Sequence, residues 1–286
     1  MTTCFFVSDL HGRLECYEKL LKRVAEVKPA ALFLGGDFLP SNLPTDPDDS
    51  PAVFLQSRLL PLLRDLRVRL ARHFPRIFLI MGNDDGRFCE QAIHDIEHSG
   101  IWEYVASREA HPLGDFRIFG YPFVPPTPFL LKDWERYDVS RYVDPGCVSP
   151  EEGFLTCPRE ESERKHATIK DDLNRLTNDA SLHNAILLFH APPYRTLLDR
   201  AALDGVTLDG VPLDVHVGSI AVRKFIEERQ PLLTLHGHVH ESAAVTGSWK
   251  DGIGRTRCFS AAHDGPELAL VRFELENLDR ASRELI

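Results

Sequence analysis

Five short polar clusters in this chain each mark the end of an apolar, β-prone run. They are Ser8-Asp9-Leu10-His11-Gly12, Gly35-Gly36-Asp37, Gly82-Asn83-Asp84-Asp85, a single His190 closing Ile186-Leu187-Leu188-Phe189, and Gly237-His238-Val239-His240. Side chains at the ends of neighbouring strands converge in space however far apart they lie in sequence, so this pattern restricts the chain to folds that gather strand ends at one edge.

Taken singly, each cluster has an ordinary reading. Asp-x-His is common by chance, Gly-Gly-Asp makes a turn, Asn83 suits a helix cap, and a lone histidine often ends a strand. Two histidines at i and i+2 after a buried strand and a glycine are harder to explain that way. His236, on the strand side by alternation, is set apart as structural. Together Asp9, His11, Asp37, Asn83, His190, His238 and His240 form a mixed set of imidazole, carboxylate and amide donors. Such a set suits Zn, Mn, Fe, Co or Ni rather than Ca or Mg. Seven donors exceed one tetrahedral site and suit two divalent ions if a carboxylate bridges.

Around these clusters the periodicity predicts a strand at 3–7, a helix at 14–27 and a strand at 31–34, a βαβ opening that implies a parallel pair. A Pro/Asp-rich loop occupies 40–51, followed by a helix over 52–73 with a break or kink at Pro61. Further expectations are a strand at 77–81, a helix at 89–99, short strands at 102–105 and 116–119, and an irregular, aromatic-rich insertion at about 121–158. A charged helix over 160–178, a strand at 185–189, a helix at 219–229 and a strand at 232–235 follow. The last part reads as short strands with turns at Gly247, Asp251-Gly252 and Asp264-Gly265. Residues 1–286 show no repeat and no linker, and the pattern gives one α/β domain of two packed sheets with helices outside.

The net charge of −10 disfavours general nucleic-acid binding. No run reaches membrane-span length, the first residues lack the pattern of a signal peptide, and none of the six cysteines forms a CxxC pair. A cytoplasmic protein with reduced thiols is the expectation; the oligomeric state is not legible.

The order Asp-x-His, Gly-Asp, Gly-Asn, His, Gly-His-x-His resembles the calcineurin-like metallophosphoesterase superfamily from Asp9 to His240. His190-Ala191-Pro192-Pro193, His216-Val217-Gly218-Ser219 and the approach to Gly-His-x-His-Glu are similar to its Icc-related bacterial and archaeal group. The resemblance implies a two-sheet αββα sandwich. It places Asp9, His11 and His240 on one metal, Asn83, His190 and His238 on a second, and Asp37 between them, with manganese the first choice in vitro. It implies a small phosphorylated substrate and a bridging hydroxide as nucleophile. Phosphodiesterase activity is the leading expectation; a phosphomonoesterase or nucleotidase, or a metal-binding scaffold without turnover, are the alternatives.

Many members have Gly-Asn-His where this chain has Asp84. Asp84 is read as accepting a hydrogen bond from a metal-bound histidine or water, ahead of a direct acid role. His216, just before a helix whose N-terminus is open to an anion, is the candidate substitute acid, set against a plain helix-entry role with Ser219 as N-cap. Arg13 divides equally between a phosphate contact and a solvated surface. Tyr194 and Arg195 are possible substrate contacts by position.

Overall fold

The computed structural model describes residues 2–41, 50–106, 110–177 and 181–286; most of the Pro/Asp-rich loop, residues 42–49, lies outside the described residues. The chain opens with β1 (Thr3–Val7), α1 (Leu14–Val27) and β2 (Ala31–Gly35), and β1 pairs with β2 in parallel. Buried Tyr17, Leu20, Leu21 and Val24 share one face of α1, the 3.6-residue spacing that marked it in the sequence.

One long helix was expected next. Instead α2 (Pro51–Val53), a π-helical stretch (Phe54–Leu59) and α3 (Leu60–Leu70) follow one another. Pro61 has no N–H to donate and its ring crowds the preceding turn, so the ladder widens and Leu60 N–H bonds to Leu55 O, five residues back. Then come β3 (Arg76–Ile80), α4 (Glu90–His98), β4 (Glu103–Tyr104), β5 (His111–Leu113) and β6 (Phe116–Tyr121).

The expected charged helix divides into α5 (Glu161–His166) and α6 (Ile169–Leu176), because Ala167 turns extended and the Thr168 side chain caps the second piece. The chain continues through β7 (Ala185–Phe189), the small hairpin β8 (Thr207–Leu208) and β9 (Val211–Pro212), α7 (Ile220–Arg229) and β10 (Leu233–His236). The last part holds a helix as well as strands: α8 (Ser242–Thr246), β11 (Lys250–Ile253), β12 (Thr256–Ser260), β13 (Ala269–Glu274) and β14 (Asn277–Leu285). Asp251-Gly252, expected as a turn, lies inside β11. The reversal falls at Gly254-Arg255, between paired Ile253 and Thr256, where Gly254 has the positive φ such a hairpin needs.

Two six-stranded sheets result, ordered β14-β13-β1-β2-β3-β4 and β11-β12-β10-β7-β6-β5. Alternation along each strand divides the side chains. Cys4, Phe6, Phe33, Phe78, Ile186, Leu188, Leu235 and Phe259 fill the space between the sheets. Phe5, Val7, Leu32, Leu34, Leu187 and Phe189 face the helices. This is the two-sheet αββα sandwich. β1 to β4 are mutually parallel, as are β6, β7, β10 and β12, so their carboxyl ends lie together within each sheet. No helix among the described residues is long and apolar enough to cross a membrane.

The 121–158 stretch is irregular, as expected, and packs its own aromatics: Phe123 and Trp134 meet edge to face at 5.3 Å. Its anchor is polar. Lys132 and Glu135 are both fully buried, 2.5 Å apart. Burial pushes Glu135 up to about 7 and pushes Lys132 down, each resisting charge. Removing one partner strands the other. Lys132→Met should lower the unfolding free energy by about 3–5 kcal/mol, and Lys132→Met with Glu135→Leu should restore most of it. Urea unfolding of the single and double variants checks this.

Candidate metal centre

Each expected donor sits just past a strand. Asp9 and His11 follow β1, Asp37 follows β2, Asn83 follows β3, His190 follows β7, and His238 and His240 follow β10. The loops that carry them are knitted together by backbone bonds: Asp9 N to Gly36 O at 3.0 Å, His11 N to Asp37 O at 2.8 Å, and Gly237 N to His190 O at 3.0 Å. The two sheets meet here through His190 Nδ1, which donates to Gly35 O at 2.8 Å, and His238 N, which donates to Asp9 Oδ1 at 3.0 Å.

Four of the seven residues, Asp9, His11, Asp37 and His238, hold positive φ of 58°, 45°, 50° and 73°. Non-glycine residues adopt this conformation at a cost, and it turns their side chains out of strand alternation toward a common point. The approach is so close that a Cβ on Gly82 would stand 2.3 Å from Asp37 Oδ1, and one on Gly237 would stand 2.7 Å from Asp9 Oδ2.

Six of the donors approach one another closely, and His238 joins them through its ring contact with His190. His11 Nε2 lies 3.3 Å from His240 Nε2, and His240 Nε2 lies 3.4 Å from Asp9 Oδ1. His190 Nε2 lies 3.2 Å from Asp37 Oδ2 and 3.1 Å from Asn83 Oδ1. The His190 and His238 rings are 5.3 Å apart. Ligand atoms about 2.0–2.2 Å from one ion, at tetrahedral to octahedral angles, stand about 3.0–3.5 Å from each other. The observed spacings fall in that band. Two Nε2 atoms facing each other also make poor mutual partners unless a proton or a cation lies between them.

Donor atoms within 4.8 Å of one another form three overlapping groups: Asp9, His11 and His240; Asp9, Asp37 and His190; and His11, Asp37 and Asp84. Asp37 thus reaches toward both ends of the cluster. The donor set fits divalent metal ions.

The electrostatics agree. Burial alone would raise the carboxyls of Asp9 and Asp37, but the surrounding imidazoles outweigh it. His240 leads at Asp9 and His190 at Asp37, and both carboxyls fall below the usual range. Burial works against a charge on His190, yet Asp37 and Asp9 push that ring up to about 10. Loss of hydration and the charge of His190 push half-buried His238 down to about 3, a neutral ring able to offer a lone pair. His236 is structural, as expected. Its nitrogens bond Ala191 O and Thr234 Oγ1, and burial holds it near 4.

Asp84 Oδ2 lies 3.4 Å from His11 Nδ1, and Asp84 N donates to Asp37 Oδ1 at 2.7 Å. Asn83 caps no helix: the next helical turn begins at Arg87 behind Gly86. Arg13 is half-buried and turned back onto the chain. Its guanidinium donates to the carbonyls of Gly265, Leu10 and Asp9. His216 does not join the seven; its ring nitrogen Nδ1 bonds Asp199. Ser219 caps α7 as expected, but that N-terminus is already taken by an internal anion. Asp138 accepts from Ser219 Oγ, Ile220 N and Ala221 N.

Asp85, to which the sequence pattern assigns no role, is fully buried. It accepts from the backbone N–H groups of Gly82, Leu39 and Phe38, tying the β2 and β3 loops together. A second aspartate directly after a strand-end Gly-Asn-Asp was the signal for it.

A family model described as calcineurin-like phosphoesterase matches residues 2–242. An uncharacterised protein of Methanocaldococcus jannaschii is 37% identical over 92 residues, 31% of this chain and 36% of that protein, so the match spans about a third of the relative's length. Among solved structures, TT1561 of Thermus thermophilus is similar over 99% of this chain and 98% of that one, with a TM-score of 0.53 and 15% identity. A dimetal phosphatase from Danio rerio is similar over 99% and 95%, with a TM-score of 0.50 and 13% identity. At these identities the structural likeness bears on the fold.

A charged His190 cannot serve as a ligand, so cations must displace its proton. Manganese added to stripped protein at pH 7.5 should release about one proton from this ring, and apparent affinity should climb with pH up to about 10. Calorimetry in buffers of different ionisation enthalpy reads the release. Binding without proton release would contradict a protonated His190 in the metal-free protein.

Proposed function

The chain belongs to the calcineurin-like phosphoesterase family, and from that premise we propose that this metallophosphoesterase is a phosphodiesterase working with two divalent transition-metal ions. In this reading Asp9, His11 and His240 hold one ion, Asn83, His190 and His238 the other, and Asp37 lies between them. The observation that carries it is the overlap of donor groups around Asp9 and Asp37, two buried carboxylates among three imidazoles. When bound, such a pair of ions supplies an activated water and neutralises charge on the phosphoryl group.

The remaining work falls to the chain. His190 Nδ1 is engaged by Gly35 O, which leaves Nε2 as the donor atom. Asp84 does the same for His11 by facing Nδ1, so Nε2 stays turned toward His240. Asp84 also bears on selectivity. Its side chain, 39% exposed, sets a carboxylate beside the site. A phosphomonoester brings two negative charges against it and a diester one, which favours diesters. Manganese is the first ion to test. Six free thiols, four of them buried, suit a reducing compartment, and a cytoplasmic setting is part of the proposal.

Stripped protein reloaded with manganese should bind two ions per chain and hydrolyse bis-p-nitrophenyl phosphate faster than p-nitrophenyl phosphate. Asp37→Ala should lose at least one ion and all turnover. Two ions with the opposite rate order would make the protein a monoesterase. Two ions with no turnover on any phosphoester would leave it a scaffold.

Asp84→Asn keeps an acceptor oxygen for His11 and removes the charge. It should narrow the diester-to-monoester ratio of kcat/KM by roughly fivefold, the factor that about 1 kcal/mol of charge repulsion in a wet site gives. An unchanged ratio would remove Asp84 from the selectivity argument.

A further inference from the structure

Past His190 the chain runs through Ala191, Pro192 and Pro193 and is joined there by the segment leading into α7. Ser219 N donates to Pro192 O at 2.9 Å, and Tyr194 N to Ser219 O at 3.0 Å. Because α7 returns to the start of β10, its own start lies at the carboxyl edge of the sheet, beside His190 and the His238 turn. The loop after Tyr194 reaches the other donor turn as well: Ala202 N donates to the side chain of Glu241, the residue after His240, at 3.2 Å. Between these two anchor points lie Asp199 and His216.

Asp199 is fully buried and accepts four hydrogen bonds: from Arg195 N at 2.8 Å, Thr196 N at 2.9 Å, Gly218 N at 3.2 Å and His216 Nδ1 at 2.9 Å. A carboxylate so surrounded by donors takes the Nδ1 proton as an acceptor and fixes the ring. The His216 side chain is 25% exposed, its ring set edge-on to Tyr194, whose hydroxyl is tied to Asp214 at 2.6 Å. With Nδ1 committed inward, Nε2 is the end of the imidazole left to act. Arg195 holds φ 54° in the tight turn around Asp199. A strained residue, a buried carboxylate and an oriented imidazole in one loop exceed what starting a helix requires, since Ser219 already caps α7.

We infer that His216 is the general acid of the reaction and Asp199 its positioning residue, an inference that rests on the phosphoester reading above. As the oxygen of water bonds to phosphorus, the bond from phosphorus to the leaving oxygen breaks with its electron pair. That oxygen takes the proton from His216 Nε2 and departs as an alcohol. The proton released by the attacking water then restores His216, so the cycle closes with one water consumed. General acids of this kind contribute about 10²–10⁴-fold, and most where the leaving group is a poor one.

The test uses the full chain loaded with manganese and a series of methyl phosphate diesters, from p-nitrophenyl through phenyl to an alkyl ester. His216→Asn places an amide nitrogen where Nδ1 was, keeps the bond to Asp199 and removes only Nε2. It should lower kcat by 100-fold or more on the alkyl ester and by less than tenfold on the p-nitrophenyl ester, with two ions still bound. The alkaline limb of the pH profile should disappear. Asp199→Asn should show the same leaving-group pattern in smaller measure.

A readout independent of turnover is ¹⁵N NMR of the metal-free protein. At a pH where the His216 ring is neutral, its single proton should reside on Nδ1 in the wild type and lose that preference in Asp199→Asn; the acid form carries a second proton, at Nε2. Equal loss on every ester, no loss on any, or a neutral wild-type ring whose one proton sits on Nε2 would each overturn the assignment. A wild type without turnover on any phosphoester would instead sink the phosphoester reading, and this proposal with it.

Discussion

Two carboxylates buried side by side, Asp9 and Asp37, are the constraint on which the rest of the molecule depends. Removing a carboxylate from water costs several kcal/mol unless positive charge and donors replace the hydration. Here the replacement comes from across the sheet interface. His190 and His240 lie against the two carboxylates, and the backbone N–H of His238 points at Asp9. Neither sheet could hold its own charged group without the other, so the arrangement that readies a cation site also locks the sheets in register.

That demand reaches into the backbone. Four donor residues occupy left-handed conformations, and the glycines beside them leave no room for a side chain. Asp85 then works as a clasp beneath, holding the β2 and β3 loops by three backbone N–H groups. Trp134 of the 121–158 stretch closes over it by donating to its carbonyl. The irregular stretch is therefore a support of the site. A second strut, Asp138, caps α7 and so fixes the start of the segment that carries His216. The strain at the donors and the buried polar groups behind them are two halves of one device.

Much of this was legible in the residues. Strands of uniform apolar character ending in glycine and a donor identified the parallel sheets and the edge where the donors meet, and the extent of α1 followed from its spacing. What was not legible depended on contacts far along the chain. The break at Ala167–Thr168 is a capping event within an otherwise continuous charged pattern. The π-helical widening follows from one proline, whose presence was visible but whose outcome depended on how the preceding turn relaxed. The helix N-terminus at Ser219 read as open to a ligand, because a residue 81 positions earlier could not be seen to fill it. Asp85 was hidden by its neighbours: beside Asn83 and Asp84 it looked like more of the same chemistry, when burial gives it a purely organising role.

Because each sheet supplies about half of the donors, the distances that matter are set by how the sheets pack. Phe6, Phe33 and Phe78 from one side meet Ile186, Leu188, Leu235 and Phe259 from the other. Such interiors are as dense as organic crystals and transmit strain instead of absorbing it. A methylene lost or gained there displaces β1 against β10, and with them Asp9 against His240, now 3.4 Å apart. The tolerance of a bound ion is a few tenths of an ångström. The inter-sheet core is thus under a tighter geometric requirement than folding alone imposes. The helix-facing layer, with no donor beyond it on the far side, is free of that requirement.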